Sequence, residues 1–136
     1  VTTIEALNER GVGKLPGFLG VVFTRLDGAE IEAELPVRAE LMAPNGFLHA
    51  GSIITLADTS CGYGCFANLP QGATGFTTIE LKSNHLGTTQ EGTIASFAKA
   101  LHMGRNTHVW DAVITHKESH RTIALFRCTQ MILYPK

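Results

Sequence analysis

Residues 45–64 read NGFLHAGSIITLADTSCGYG, and the fold turns on what this stretch becomes. A Gly-containing turn leads into a run of apolar and small residues with one acid, Asp58, inside it. At about 100° per residue from Asp58, the residues Ile53, Ile54, Ala57, Cys61, Gly64 and Cys65 form one apolar or small arc. Leu56, Tyr63 and Phe66 decorate the far side. A helix apolar nearly all round must be covered, so the rest of the chain is expected to wrap it.

Asp58 falls at the edge of that arc, on a stripe with Gly51, Thr55 and Gly62, whose small side chains leave room for a ligand or a second chain. An unpaired carboxylate is expensive to bury, and desolvation raises its pKa. Two readings stand side by side. In one, Asp58 is satisfied by the Thr55 or Thr59 hydroxyl or faces solvent. In the other, it is an acid placed for chemistry. The turn before the helix favours the second. Gly46, His49 and Gly51 surround a helix start, where free backbone N–H groups and the positive dipole end suit an anion or an oxyanion developing on an acyl carbonyl.

Outward from the helix the pattern changes to strands. GVVFTRL and AEIEAELPV meet at Asp27-Gly28, a dipeptide suited to a tight hairpin turn. Ala29, Ile31, Ala33, Leu35 and Val37 alternate with Glu30, Glu32 and Glu34, so one face is buried and the glutamates form a solvated face. After residue 75, GFTTIELKSNHL, GTIASFAKALHMGR, NTHVWDAVITHKE and RTIALFRCTQMILYP are rich in β-branched and aromatic residues, separated by GTTQEG, MGRN and KESHR. Four strands with short links predict an antiparallel meander, and the early hairpin adds two more. TIEALNER, residues 3–10, predicts a short peripheral helix ending near Gly11.

Composition bounds the function. A chain of 136 residues predicts a single domain over 1–136. With 11 basic and 12 acidic residues, nothing points to nucleic acid or an anionic membrane as partner. LPGFLGVVF is too short and too broken by Pro16, Gly17 and Gly20 to be a signal peptide or a membrane span. Cys61, Cys65 and Cys128 include no CxxC, which predicts small buried thiols in a reduced, cytoplasmic protein rather than a nucleophile. His102, His108, His116 and His120 share no metal-ligand spacing, so no metal site is expected. Trp110 reads as core or interface.

The residues G-F-L-H-A-G-S-I-I-T-L-A-D resemble the G-x-x-H-G-G...(L/A)-(D/E) pattern of hotdog-fold acyl-CoA thioesterases of the phenylacetate-degradation (PaaI) type, a group similar to the 4-hydroxybenzoyl-CoA thioesterases. TTIELKSNHL and LHMGRNTHVWDAVI are similar to the family's T-V-D-L-x-I-x-Y strand and H-x-G-R hairpin, so the resemblance spans roughly residues 18–134. It implies an α+β hotdog fold, with a five- or six-stranded antiparallel sheet wrapped around a long central helix. It also implies a homodimer or homotetramer with active sites at the dimer interface.

Position by position, the resemblance makes Asp58 the catalytic carboxylate, as nucleophile on the thioester carbonyl or as general base for water. Ala50, with Gly51 beside it, supplies the backbone N–H for the thioester oxygen, and His49 shapes the turn with Gly46. Thr78 helps place water or the acyl group, with Thr77 as its fallback. Arg105 and Asn106 approach the nucleotide end of coenzyme A, and Lys82 is a further phosphate contact. Coenzyme A enters as part of the substrate, and no separate cofactor is implied. The chain departs from the pattern at HAG for HGG, at His85 where an aromatic residue is more usual, and at Ala43, where relatives carry Asn or Gln. Asn45 is the candidate to take over the duty of the last.

The implied reaction is hydrolysis of an acyl-CoA thioester with an aromatic or medium acyl group. A hotdog enoyl-CoA hydratase would be expected to show D-x-N-x-x-H, which this chain lacks, and a non-catalytic acyl-CoA-binding module is the other alternative. Seven residues from Gly51 to Asp58 correspond to about 10 Å of helix, too far for both to serve one thioester. The acid of one subunit is therefore expected to meet the HAG turn of another.

Overall fold

The structure, a computed structural model, describes residues 2–136. Two short helices, α1 (Ile4–Arg10) and α2 (Leu15–Leu19), precede strands β1 (Val22–Asp27) and β2 (Glu30–Pro36). The long helix α3 (Ala50–Ala67) follows, and then β3 (Gly75–His85), β4 (Thr93–Met103), β5 (Thr107–His116) and β6 (Thr122–Leu133). All strand pairs are antiparallel, in the order β1-β2-β4-β5-β6-β3, and α3 packs against β2 through β6. This is the expected α+β hotdog architecture, six strands wrapped around one helix.

The early hairpin forms one residue later than Asp27-Gly28 suggests. Asp27 pairs with Glu30, leaving Gly28-Ala29 as the two-residue loop, and Gly28 supplies the positive φ of 58° that such a loop requires. In β2 the alternation holds: Ile31, Ala33 and Leu35 are buried, while the glutamates lie outward and meet cations, Glu30 and Glu32 on Arg25 and Glu34 on Lys117.

The four-strand meander does not form. Strands β4, β5 and β6 make a meander of three, but β3 pairs with β6 at the far edge. GTTQEG is thus a crossover that carries the chain past β6 and β5 to β4, a span of about three strand spacings.

The buried face of α3 also differs from the reading centred on Asp58. Leu56 is fully buried with Ile53, Ala57, Ser60, Cys61 and Gly64, whereas Tyr63 and Phe66 are half-buried. The two buried helix hydroxyls are satisfied on main-chain carbonyls, Ser52 on Leu41 and Ser60 on Leu56. Around this face Ile31, Leu35, Ile94, Trp110, Ile114 and Ile123 are all buried, each large side chain contributing about 1.5–3 kcal/mol. Helix α1 is anchored more firmly than peripheral: Thr3 caps it, Leu7 enters the core, and Asn8 makes two hydrogen bonds with the Phe23 main chain. No helix among the described residues is long and apolar enough to cross a membrane.

Candidate active site

The turn before α3 is shaped by its own side chains. Gly46 has φ of 86°, and the Asn45 side-chain oxygen accepts from the Phe47 N–H. His49 is the N-cap in extended conformation, and its Nδ1 accepts from the Gly51 N–H at 2.7 Å. Nδ1 is therefore unprotonated, and the neutral ring carries its proton on Nε2. This cap corrects one assignment. The Gly51 N–H is already consumed and is not a free oxyanion donor. The Ala50 N–H, at the first helical position, has no acceptor among the described residues.

Ala50 lines a cavity of about 300 Å³ with Ala43, Asn45, Phe47, Leu48, Ile53, His85, Gly87 and Thr88. The walls are mostly apolar, with an amide and an imidazole among them. Asn45, Ala50 and His85 share this lining. The sequence marked His85 only as a departure from an aromatic.

Asp58 lies elsewhere, half-buried in the middle of α3 and outside that cavity. Neither threonine satisfies it. Thr55 Oγ1 donates back to the Gly51 carbonyl, Thr59 makes no bond to Asp58, and Asp58 Oδ1 is buried with no partner. Burial alone raises its pKa above the ordinary carboxylate value.

Helix and strand run in opposite senses here: Ala50 and Ile53 share a cavity with His85 at the end of β3, while Gly62 meets the Phe76 ring near its start. Asp58 lies between Ile53 and Gly62 on the helix, and β3 bulges between Thr78 and Glu80. The register separates the two threonines. Thr78 is opposite buried Gln130 and faces the helix, whereas Thr77 is opposite exposed Met131 on the outer face.

The three candidates for the nucleotide end of coenzyme A lie apart from Ala50, and Lys82 lies apart from the other two. Lys82 stands opposite Arg127 on the outer face, beside the two-bond pair from Arg127 to Asp111 at 2.6 and 3.0 Å. An open hollow of about 340 Å³ on that face contains neither Ala50 nor Asp58. Arg105 and Asn106 lie at the β4–β5 turn, where Asn106 meets Ile132 and Arg105 meets Tyr134, at the sheet end away from His85.

The thiols are poor nucleophiles. Burial, with Cys128 alongside, pushes Cys61 well above its ordinary value, and burial pushes Cys65 up to about 12. No group of three or more His, Cys, Asp or Glu among the described residues is placed to hold a metal ion.

A six-stranded antiparallel sheet around a single long helix defines the hotdog class. The Thioesterase superfamily model matches residues 45–123, the span from the turn before α3 into β6, and the chain belongs to that family. It is 33% identical over 134 residues to the 1,4-dihydroxy-2-naphthoyl-CoA hydrolase of Escherichia coli, covering 96% of this chain and 95% of the relative. A mutant form of thioesterase PA1618 from Pseudomonas aeruginosa superimposes with a TM-score of 0.92 at 26% identity, over 98% of this chain and 95% of that one. The Escherichia coli PaaI protein of the phenylacetic acid degradation operon aligns with a TM-score of 0.77 at 25% identity, over 87% and 83%. The chain is thus an acyl thioester hydrolase of the PaaI-like kind.

Proposed function

We propose that this protein hydrolyses acyl-CoA thioesters carrying an aromatic or medium acyl group, and that it does so as a dimer or tetramer in the cytoplasm. The observation that carries the reading is the Asp58 carboxylate, buried on one oxygen, without a partner and raised in pKa by desolvation. A group left in that state costs stability, and chemistry is the natural compensation.

In this reading the Ala50 N–H receives the thioester oxygen and stabilises the charge that develops there. Asp58 attacks the carbonyl or takes a proton from water, and the coenzyme A thiolate leaves. His49 holds the turn by fixing Gly51, and Gly46 sets its bend. Asn45, in the Ala50 cavity, is placed to orient the carbonyl or water in place of the residue missing at Ala43. Thr78, on the inner face of β3, assists near Asp58. Coenzyme A comes with the substrate, and the reading asks for no other cofactor. The partner subunit enters because Ala50 and Asp58 of one chain stand two helical turns apart and share no cavity. The aromatic preference is supported by the activity for which the naphthoyl-CoA hydrolase relative is named. The three free, buried thiols support a reducing compartment.

Asp58→Asn is expected to keep the fold and lower thiol release from aryl-CoA esters by about 10²–10⁴-fold, the range of a general acid–base group. Unchanged turnover would sink the mechanism. The pH dependence has a definite sign. With a folded pKa above the unfolded one, Asp58 binds a proton more readily in the native state, so its contribution to stability is full at low pH and is lost as pH rises through the raised pKa. Activity runs the other way, rising with pH as Asp58 ionises. Asp58→Asn should therefore raise the neutral-pH melting temperature while removing activity, which thermal melts beside a pH–rate profile check.

A further inference from the structure

The turn before α3 is held from two sides. On one, the His49 N–H donates to the Leu41 carbonyl at 3.0 Å. On the other, the Leu48 N–H donates to the Thr89 carbonyl at 3.1 Å, and Gln90 Nε2 donates to the Gly46 carbonyl at 3.3 Å. This second support is the β3–β4 crossover, residues 86–92, which belongs to no strand. We propose that His116 and Arg121, which flank the β5–β6 turn, are positioning residues: they fix the crossover, and the crossover fixes the turn that aims the Ala50 N–H. The proposal rests on the acyl-CoA hydrolase reading above and adds to it two residues outside the Ala50 cavity.

A segment outside the sheet must find other partners for its main chain, and where it lacks them it is free to move. The ends of the crossover have main-chain partners. The Leu86 and Gly87 N–H groups share the Ile123 carbonyl at 2.8 and 3.0 Å, and the Gly92 carbonyl accepts from the Val37 N–H at 2.8 Å. The middle is held from the β5–β6 turn by side chains. Arg121 Nη2 donates to the Thr88 carbonyl at 3.2 Å. His116 Nε2 bonds the Glu91 carbonyl at 3.1 Å, and since a carbonyl only accepts, Nε2 carries a proton. The other ring nitrogen meets Ser119 Oγ at 2.7 Å, which sets the orientation of the ring, and the side chain is 12% exposed. The turn that presents both residues is itself closely specified. His120 has φ of 60°, the only positive value at a non-glycine among the described residues, and its N–H donates to the His116 carbonyl at 2.8 Å.

The carbonyls along the crossover thus divide between two supports. Thr88 and Glu91 turn theirs to Arg121 and His116, and Thr89, between them, turns its own to Leu48. Thr89 also ties the middle together, its hydroxyl donating to the Glu91 carbonyl at 2.7 Å and accepting from the Glu91 N–H at 3.2 Å. A displacement of Thr88 or Glu91 is therefore passed to Leu48, two residues before Ala50. An oxyanion donor is sensitive to such a displacement, because a misplacement of about 1 Å can cost about 10²-fold in rate.

The test is a double-mutant cycle. Arg121→Ala and His116→Ala are each expected to lower kcat for an aryl-CoA ester about tenfold, less than loss of the N–H itself, with KM within about twofold of wild type. Arg121→Lys should recover part of the loss. In Ala50→Pro, which has no N–H left to aim, neither substitution should lower kcat further. Lys117→Ala, in the same turn but paired with Glu34 on β2, should leave kcat unchanged. Amide hydrogen exchange reads the clamp without turnover: in Arg121→Ala the Leu48 amide should exchange about tenfold faster, while the His49 amide, bonded to Leu41, keeps its rate. Equal falls in kcat with and without Ala50→Pro, a rise in KM at constant kcat, or no change in kcat would each overturn the proposal. So would Leu48 exchange that does not move, or exchange that quickens alike throughout the chain. A wild type that cleaves no thioester would fail the hydrolase reading alone, because the exchange rates decide the clamp.

Discussion

The two halves of α3 spend small residues in opposite ways. At the N-terminal end Ala50 is exposed, and the room beside it is an open cavity. In the C-terminal half the room is already taken. A Cβ on Gly62 would stand 3.1 Å from Phe76 Cζ, and one on Gly64 would stand 2.6 Å from both Trp110 Cη2 and Cζ3. Smallness alone does not distinguish a ligand site from a packing site. What lies opposite decides it, a cavity in one case and an indole in the other.

The largest break of this contrast is expected at Ala50. Proline suits the first helical position, and His49 before it already has the extended backbone, φ −66° and ψ 135°, that a following proline demands. Ala50→Pro therefore removes the one free N–H while sparing the helix. Turnover of aryl-CoA esters should fall by about 10²–10³, as for loss of an oxyanion donor, with the melting temperature nearly unchanged. Steady-state kinetics beside a thermal melt would show whether the effects separate, and a large stability loss would contradict the free-end description.

Gly64→Ala is the mirror experiment. Alanine gains helix propensity but must displace a fully buried tryptophan, so we expect a net loss of about 1–3 kcal/mol in chemical denaturation, with turnover per folded molecule retained. Unchanged stability would mean that Trp110 moves freely, and the contrast between the helix halves would weaken.

The outline of the fold was legible in the sequence because it rests on local periodicity. The apolar run of α3, the alternation of β2 and the turn residues between strands each speak for themselves. Partner choice does not. GTTQEG says that the chain turns after β3, yet nothing in those residues says that β3 will pair with β6. Leu56 was misplaced for a related reason. The helical arc was drawn from the acid of interest, whereas the buried face is set by what surrounds the helix.

At the site, the turn and Asp58 were readable from residue types, but their hydrogen bonding was not. Histidine is not among the preferred N-caps, so the loss of the Gly51 donor to His49 Nδ1 had no sequence signal.

The smallest expected effect tests whether an unpartnered buried group always marks function. Gln130 shares with Asp58 the lack of any partner, on both amide atoms, but it sits in the core opposite buried His108. His108 differs on one nitrogen: its Nε2 is as unpartnered as the Gln130 amide, but its Nδ1 accepts from the Trp110 indole N–H at 3.1 Å, and burial, with His102 as a lesser cause, lowers its pKa. Removing a polar group that has no partner strands nothing, whereas removing one that has a partner strands the other. Gln130→Leu should thus change stability by less than about 1 kcal/mol and leave turnover intact, while His108→Leu should cost about 1–3 kcal/mol by orphaning Trp110. A marked loss of turnover in Gln130→Leu would show that the amide meets substrate or an essential water, and would extend the site from Asp58 and Thr78 across β6 into the core.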